Sequence, residues 1–327
     1  MHQKFYPFIA FLFICFLGSS CLKKEQPLPL PPPGDAESQL VNIGNDYATQ
    51  VFYSFTNGIV KSDSFDIWDI AFDVHPDQNE LWLNGGSNIM VYPSGQSDFN
   101  LPMPSLTNKQ WMYDKPEGTY GLSALGALTP ESHIGELLFL QKGSQTFKLK
   151  ILEATSDHYK IEVGGVNDAS GIMVVLQKEE QYNFVYYSFS NGIVQPEPVK
   201  TDWDFVFTRY RTIFPGLNAD GSDMPYIVNG VLLNTFKTLG ASDSTKEFNF
   251  AEFDLAASSQ FTLSPNRDII GYNWKAVNIN TAEYTVLPKR MFLLKDQLNQ
   301  LWKFHFVSFY DENGQRGNPR FEFKRLE

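Results

Sequence analysis

The stretch YSFTNGIV at Tyr53–Val60 returns as YSFSNGIV at Tyr187–Val194, with one conservative change in eight positions. Val and aromatic residues crowd both copies, as they do in strands. Asn57-Gly58 and Asn191-Gly192 supply residues that tolerate positive φ, as a tight hairpin turn requires. The phrase therefore reads as strand, turn, strand. The echo continues downstream. IWDIAF (Ile67–Phe72) answers DWDFVF (Asp202–Phe207), and FLQKGSQTFKLKIL (Phe139–Leu152) answers FLLKDQLNQLWKFHFV (Phe292–Val307). MVVLQKE (Met173–Glu179) is paired with the last eight residues, RFEFKRLE. A head-to-head period of about 134 residues exceeds that of solenoids and propellers and equals a whole domain, so two tandem units are expected.

The remaining segments read the same way. In LWKFHFVSF, Trp302, Phe304 and Phe306 share one face, while Lys303 and His305 take the other; FKLKIL sets Lys148 and Lys150 opposite Phe147, Leu149 and Ile151. Such alternation marks half-buried strands, which places His305 in solvent. Helical signals are confined to Ser132–Leu137 after Thr129-Pro130-Glu131 and to Lys246–Leu255. The expected fold is mainly β: two tandem antiparallel β-rich domains related by the internal repeat, over residues 45–180 and 181–327, with few short helices. The middles of the units, Gly85–Ser123 and Pro215–Asn273, are rich in Gly, Pro, Ser and Asn and differ most from each other. Binding commonly resides in such loops.

Ahead of the repeats, Lys4 precedes an apolar run from Phe8 to Leu17, and Gly18, Ser19 and Ser20 precede Cys21. The run is too short to span a membrane and has the layout of a signal peptide over residues 1–20. With Cys21 directly after the small residues, it resembles the lipobox of bacterial lipoproteins. That resemblance implies cleavage before Cys21, acylation there, and a membrane anchor. Leu17 stands one step earlier than the usual pattern, with Gly18 in its place. Lys23, Lys24 and Glu25 resemble the charged tag that directs such lipoproteins to the outer face of the outer membrane in Bacteroidetes-type bacteria. The Pro-rich run PLPLPPPGDAES within residues 21–44 reads as an extended spacer. Cys15 would leave with the signal, so no disulfide and no Cys-based metal site is expected. A formal net charge of -11 excludes an electrostatic grip on nucleic acid.

FVYYSFSNGIVQPEPVKTDWDFVFTRYRT resembles the head of the HmuY-like family of haem-binding surface lipoproteins. That family head has a YFSFS-x-G-x-VV phrase, then WD-x-A and an Arg-Tyr pair, matched here by Tyr187–Val194, Trp203-Asp204 and Arg209-Tyr210. MFLLKDQLNQLWKFHFVSFYDENG and the closing FEF strand resemble its tail. Tyr53–Phe72 and Phe139–Glu179 carry the same plan less completely. The resemblance implies a mainly β fold and capture of haem or a related porphyrin for an outer-membrane transporter, with the iron held by a pair of axial side chains from loops.

Haem iron takes His, Met, Cys or Tyr at its axial positions. The stretch of the second unit where the resemblance places them, Phe248–Tyr284, holds neither His nor Met. In the first unit His75 and His133 are the axial candidates, although each also reads as a turn or helix residue; Met103 and Met112 read as gap fillers and His158 as a turn residue. Trp82, Trp111 and Trp274 lie in or beside the variable middles and are candidate stacking aromatics for a glycan or protein ligand, should haem not be the cargo. CxxCH, HExxH, GxSxG and Walker signatures are all absent. Asp69 and Asp204 repeat as scaffold carboxylates, on an outer strand face or meeting a local donor, rather than as an acid/base pair. The sequence reads as a binding protein, not an enzyme.

Overall fold

The structure, a computed structural model, describes residues 36–105, 110–243 and 248–327. Cys21, the apolar leader and the Pro-rich run lie outside the described residues. The first strands are β1 (Glu37–Leu40), β2 (Thr49–Ser54), β3 (Gly58–Ser64), β4 (Ile70–Asp73), β5 (Leu81–Leu83) and β6 (Met90–Pro93). There follow β7 (Leu137–Lys142), β8 (Gln145–Ala154), β9 (His158–Gly165), β10 (Ile172–Gln177), β11 (Phe184–Ser188) and β12 (Gly192–Val194). The rest are β13 (Phe205–Phe214), β14 (Met224–Leu233), β15 (Leu239–Ser242), β16 (Lys275–Asn278), β17 (Glu283–Val286), β18 (Met291–Lys295), β19 (Leu301–Tyr310) and β20 (Arg316–Leu326). A single turn of helix, α1, covers Leu255–Ser258. The mainly β expectation holds.

Four sheets pair into two sandwiches. In the first, sheet β10-β9-β8-β7-β6 packs on sheet β12-β11-β4-β5 around Phe72, Leu138, Leu149, Tyr159, Ile161 and Tyr187. In the second, β1-β20-β19-β18-β15 packs on β14-β13-β2-β3 around Tyr53, Phe55, Phe205, Phe304, Phe306 and Phe321. The ribbon β16-β17 closes the second core with Trp274 and Val286. Buried aromatics at these positions each remove large apolar areas from water, and pairs such as Tyr53–Phe205 (5.2 Å) and Phe55–Trp302 (5.0 Å) stack.

The two repeated hairpins cross over. β2, which carries Tyr53, pairs with β13 at Tyr53↔Phe205; β11, which carries Tyr187, pairs with β4 at Tyr187↔Ile70. Tyr53 and Tyr187 are equivalent in the phrase, as are Phe205 and Ile70 in the WD strands, so the two registers are the same. β1 joins β20 and β10 joins β9 in the same manner. RFEFKRLE (β20) thus corresponds in space to HYKIEVGG (β9), and MVVLQ (β10) to ESQL (β1), which replaces the tail pairing read from the sequence. The expected units 45–180 and 181–327 each contribute strands to both sandwiches. The first sandwich is contiguous, β4 through β12, and sits between β3 and β13 of the second.

Local expectations fare unevenly. Each hairpin closes through a three-residue loop, with Ser54↔Gly58 and Ser188↔Gly192 paired and both glycines at φ of 74°. Asn57 and Asn191 stay at negative φ, so glycine alone takes the left-handed position of the bulged turn. Ser132–Leu137 is not helical: Thr129 to His133 forms bridges and β7 starts at Leu137. Part of Lys246–Leu255 lies outside the described residues, and among the described ones the helical turn α1 begins where that span ends.

His305 is buried, against the expectation. The middles fold over the outer faces of the tail sheets, with Phe248, Phe250, Phe253 and Phe261 on Leu293 and Met291, and Phe99, Leu101 and Met103 on Leu137 and Phe139. Phe250 stacks on the His305 ring at 4.0 Å, and its Nε2 lies 3.1 Å from Glu322 Oε2. Lys148 and Lys303 are buried for the same reason, and each ammonium donates to two backbone carbonyls: Lys148 to Phe99 of its covering loop and Asp168 of the β9–β10 loop, Lys303 to Phe250 and Phe253 of its covering loop.

Candidate functional site

Strand alternation gives the four-stranded sheets two apolar faces. Val51 and Tyr53, Ile70 and Phe72, Val185 and Tyr187, and Phe205 and Phe207 point into the sandwich cores. Their neighbours Phe52, Ala71, Phe184, Tyr186, Val206 and Tyr210 point the other way. Those second faces confront each other across a cleft between the sandwiches, lined also by Gln50, Trp68, Trp82, Trp203, Leu232, Asp114, Lys115 and Arg267.

Backbone contact and side-chain straps join the two sandwiches across the cleft. Gly85 and Gly86, in the 3-10 turn after β5, lie against β13; a Cβ on Gly86 would sit 2.4 Å from the Arg209 carbonyl oxygen. Arg211 donates from β13 to Ile89 O (2.9 Å) and Asn88 Oδ1 (2.7 Å) of the first sandwich. Lys61 Nζ donates to Gln195 O (2.6 Å), and Asn183 Nδ2 to Asn234 Oδ1 (2.9 Å).

The electrostatics of the cleft are set by burial. Desolvation lifts Asp114 to about 6, against amide donors from Leu83 and Ala124 and the Arg211 charge. It lifts Glu197, just behind Tyr186, to about 7, against the Tyr186 hydroxyl (2.6 Å), the Asn183 amide and the Arg267 charge. Arg267 itself is pushed down by burial. The volume of the cleft is about 100 Å³.

The proposed site residues are not brought together. His75 is exposed in a depression with Asp73 and Tyr182; its amide donates to Asp73 Oδ1 at 2.7 Å. His133 adopts φ of 62° in a separate depression and pairs with Glu136 at 2.6 Å. Trp111 packs at the rim of a small cluster beside Tyr92, with Met103; Met112 is exposed. Trp274 is 1% exposed and stacks on Phe306 at 3.9 Å, so it serves the core. Trp82 alone of the three tryptophans lines the cleft. Asp69 and Asp204 are neither on an outer face nor locally bonded. Asp204 Oδ2 accepts from Phe55 N and Asp69 Oδ2 from Phe189 N, both at 2.7 Å, so each clamps the hairpin of the other repeat. Asn84 and Asn234 complete the clamps, each donating to two carbonyls before its WD strand: Phe65 and Trp68, Lys200 and Trp203. The echo LWLN against VLLN was the available signal for this asparagine pair.

Residues 180–323 match the family described as HmuY protein. No curated protein matches the chain. Among solved structures, apo PinO from Porphyromonas gingivitis aligns at 8% identity over 90% of this chain and 99% of that one, with a TM-score of 0.30. The apo HmuY analog of Tannerella forsythia aligns at 8% identity over 91% and 99%, with a TM-score of 0.27. These overlays are too loose to transfer residues. As it stands the cleft does not admit haem: its lining has no His, Met or Cys, the Tyr186 hydroxyl is engaged by Glu197 and Tyr210 alone keeps an unpartnered phenol, and the volume falls below the roughly 300 Å³ at which small-molecule pockets begin. Among the described residues no three His, Cys, Asp or Glu side chains converge as metal ligands.

Proposed function

We propose that this chain is a lipid-anchored, surface-displayed binding protein built from two tandem HmuY-like units, with Cys21 as the acylated residue and an outer-membrane transporter as its partner. The observation that carries this reading is the HmuY match over residues 180–323, joined to the same head phrase at Tyr53–Val60. Binding, rather than catalysis, accords with the work the repeated carboxylates do: Asp69 and Asp204 are spent on backbone amides. The family match nominates haem or a related porphyrin as the cargo.

A second reading keeps the scaffold and replaces haem with a glycan or protein ligand. The separation of His75 and His133 into different depressions favours it. An absorbance titration of ferric and ferrous haem into the mature chain, with His75→Ala and His133→Ala alongside, decides between the two. A saturable Soret shift lost in one variant establishes haem capture and its ligand. If no shift appears in either redox state, the haem reading fails and the second stands.

A further inference from the structure

The cleft has a surplus of hydrogen-bond donors. Five polar atoms on its lining residues are buried with no hydrogen-bond partner: Gln50 Nε2, Trp82 Nε1, Trp203 Nε1, Tyr210 Oη and Arg267 Nε. Gln50, Trp82, Trp203 and Tyr210 are each more than nine-tenths buried. Indole, amide and guanidinium N–H groups can only donate. Neither Asp114 nor Glu197 answers them, and Glu117, whose Oε2 is likewise unpartnered, lies in the adjoining depression with Trp82 and Arg267. Asp114 spends Oδ1 on Ala124 N (2.7 Å) and Oδ2 on Leu83 N (2.5 Å), and Glu197 is spent on Asn183 and Tyr186. Each stranded donor carries a desolvation penalty that a bound acceptor would relieve.

Charge and shape narrow the acceptor. Lys115, Arg209 and Arg267 line the cleft, and Arg211 is committed to Ile89 and Asn88. The walls are Phe52, Trp68, Trp82, Phe184 and Trp203. We propose that the cleft between the sandwiches is a binding site for a small carboxylate carried on an apolar stem. A neutral sugar brings as many hydroxyl donors as acceptors and would leave its own donors unmatched here; a carboxylate accepts only. A volume of about 100 Å³ suits a short acid of propionate size, being smaller than the apolar cavity of about 150 Å³ that takes benzene. The donor atoms lie beneath the present surface of the cleft, so the proposal requires the sandwiches to part slightly as the acid enters. This goes beyond the binding-protein reading and holds whether or not haem binds.

The test is calorimetric titration of the mature chain with propionate, isobutyrate and benzoate, with benzamide as the uncharged control and tryptophan fluorescence as a second readout. Trp82→Phe and Trp203→Phe keep the ring and remove the N–H, while Arg209→Gln removes a cation; circular dichroism checks that each variant is folded. We expect saturable binding of at least one acid with quenched fluorescence, no binding of benzamide, and affinity about tenfold weaker in each variant. Should Trp203→Phe fail to fold, Trp82→Phe and Arg209→Gln still decide. The proposal is overturned by the absence of saturable binding at about 10 mM acid, by equal binding of benzamide, or by full affinity in the folded variants. The haem titration reads a Soret band, so its failure is separate from failure here.

Discussion

Asp204 receives the Phe55 amide at 2.7 Å, and its own amide donates to Tyr53 O at the same distance. Burial raises its pKa to about 6, so its carboxylate is held in place at a cost. Asp204→Ala strands the Phe55 N–H and is expected to lower unfolding free energy by about 2 kcal/mol in urea titrations; a variant as stable as the parent would show the clamp to be idle. Glu197 sets a pH dependence. Its folded pKa is raised from 4.5 to about 7, chiefly by burial. The folded chain therefore holds this proton more tightly than the unfolded chain, and the resulting stability is present below pH 4.5 and lost as pH rises through about 7. Between about pH 5 and 8 the parent should lose on the order of 3 kcal/mol that a Glu197→Gln variant does not lose. Equal slopes for the two proteins would contradict this assignment.

At the level of elements, the hairpins were legible because a period-2 aromatic pattern and a glycine at the bulge are local facts. Their partners were not legible. Tyr53 meets Phe205 in the same register in which Tyr187 meets Ile70, so the strand code alone fits pairing within a repeat as well as across repeats. The solvent face assigned to Lys303 and His305 failed for a related reason: the cover comes from Phe250 and Phe253, about fifty residues away in sequence. The cleft was invisible because its lining is drawn from many separate segments, and only Trp82 among the site candidates pointed to it. One element packed directly against the facing sheet is the Gly85-Gly86 turn. Gly86→Ala places a methyl group 2.4 Å from Arg209 O, and overpacking of this kind should cost about 2 kcal/mol, read as a lower urea midpoint. An unchanged midpoint would mean that the turn moves freely off β13.

Viewed whole, the molecule is one sandwich set between two stretches of another. The first core draws its buried residues from β4 through β12 without needing any later or earlier strand. Residues 66–196 alone are therefore expected to fold and to unfold cooperatively, with lower stability than in the full chain because Trp82, Phe184 and Tyr186 lose the facing sheet. A fragment with no cooperative transition would show instead that the cleft contact is required for folding. The repeated phrases were plain in the sequence, yet the sandwiches begin and end elsewhere, because each repeated hairpin pairs in the same register with the WD strand of the other repeat.

The edge strand β1 gives this arrangement a mechanical sense. Glu37 lies beside Phe323, and Leu40 beside Arg320, antiparallel along the margin of the second sandwich. With the anchor at Cys21, as proposed, any tug from the membrane enters through β1 and is spread over its ladder of hydrogen bonds to β20. The first sandwich hangs off that path, tethered at β3 and β13, and would ride unloaded while its neighbour bears the strain.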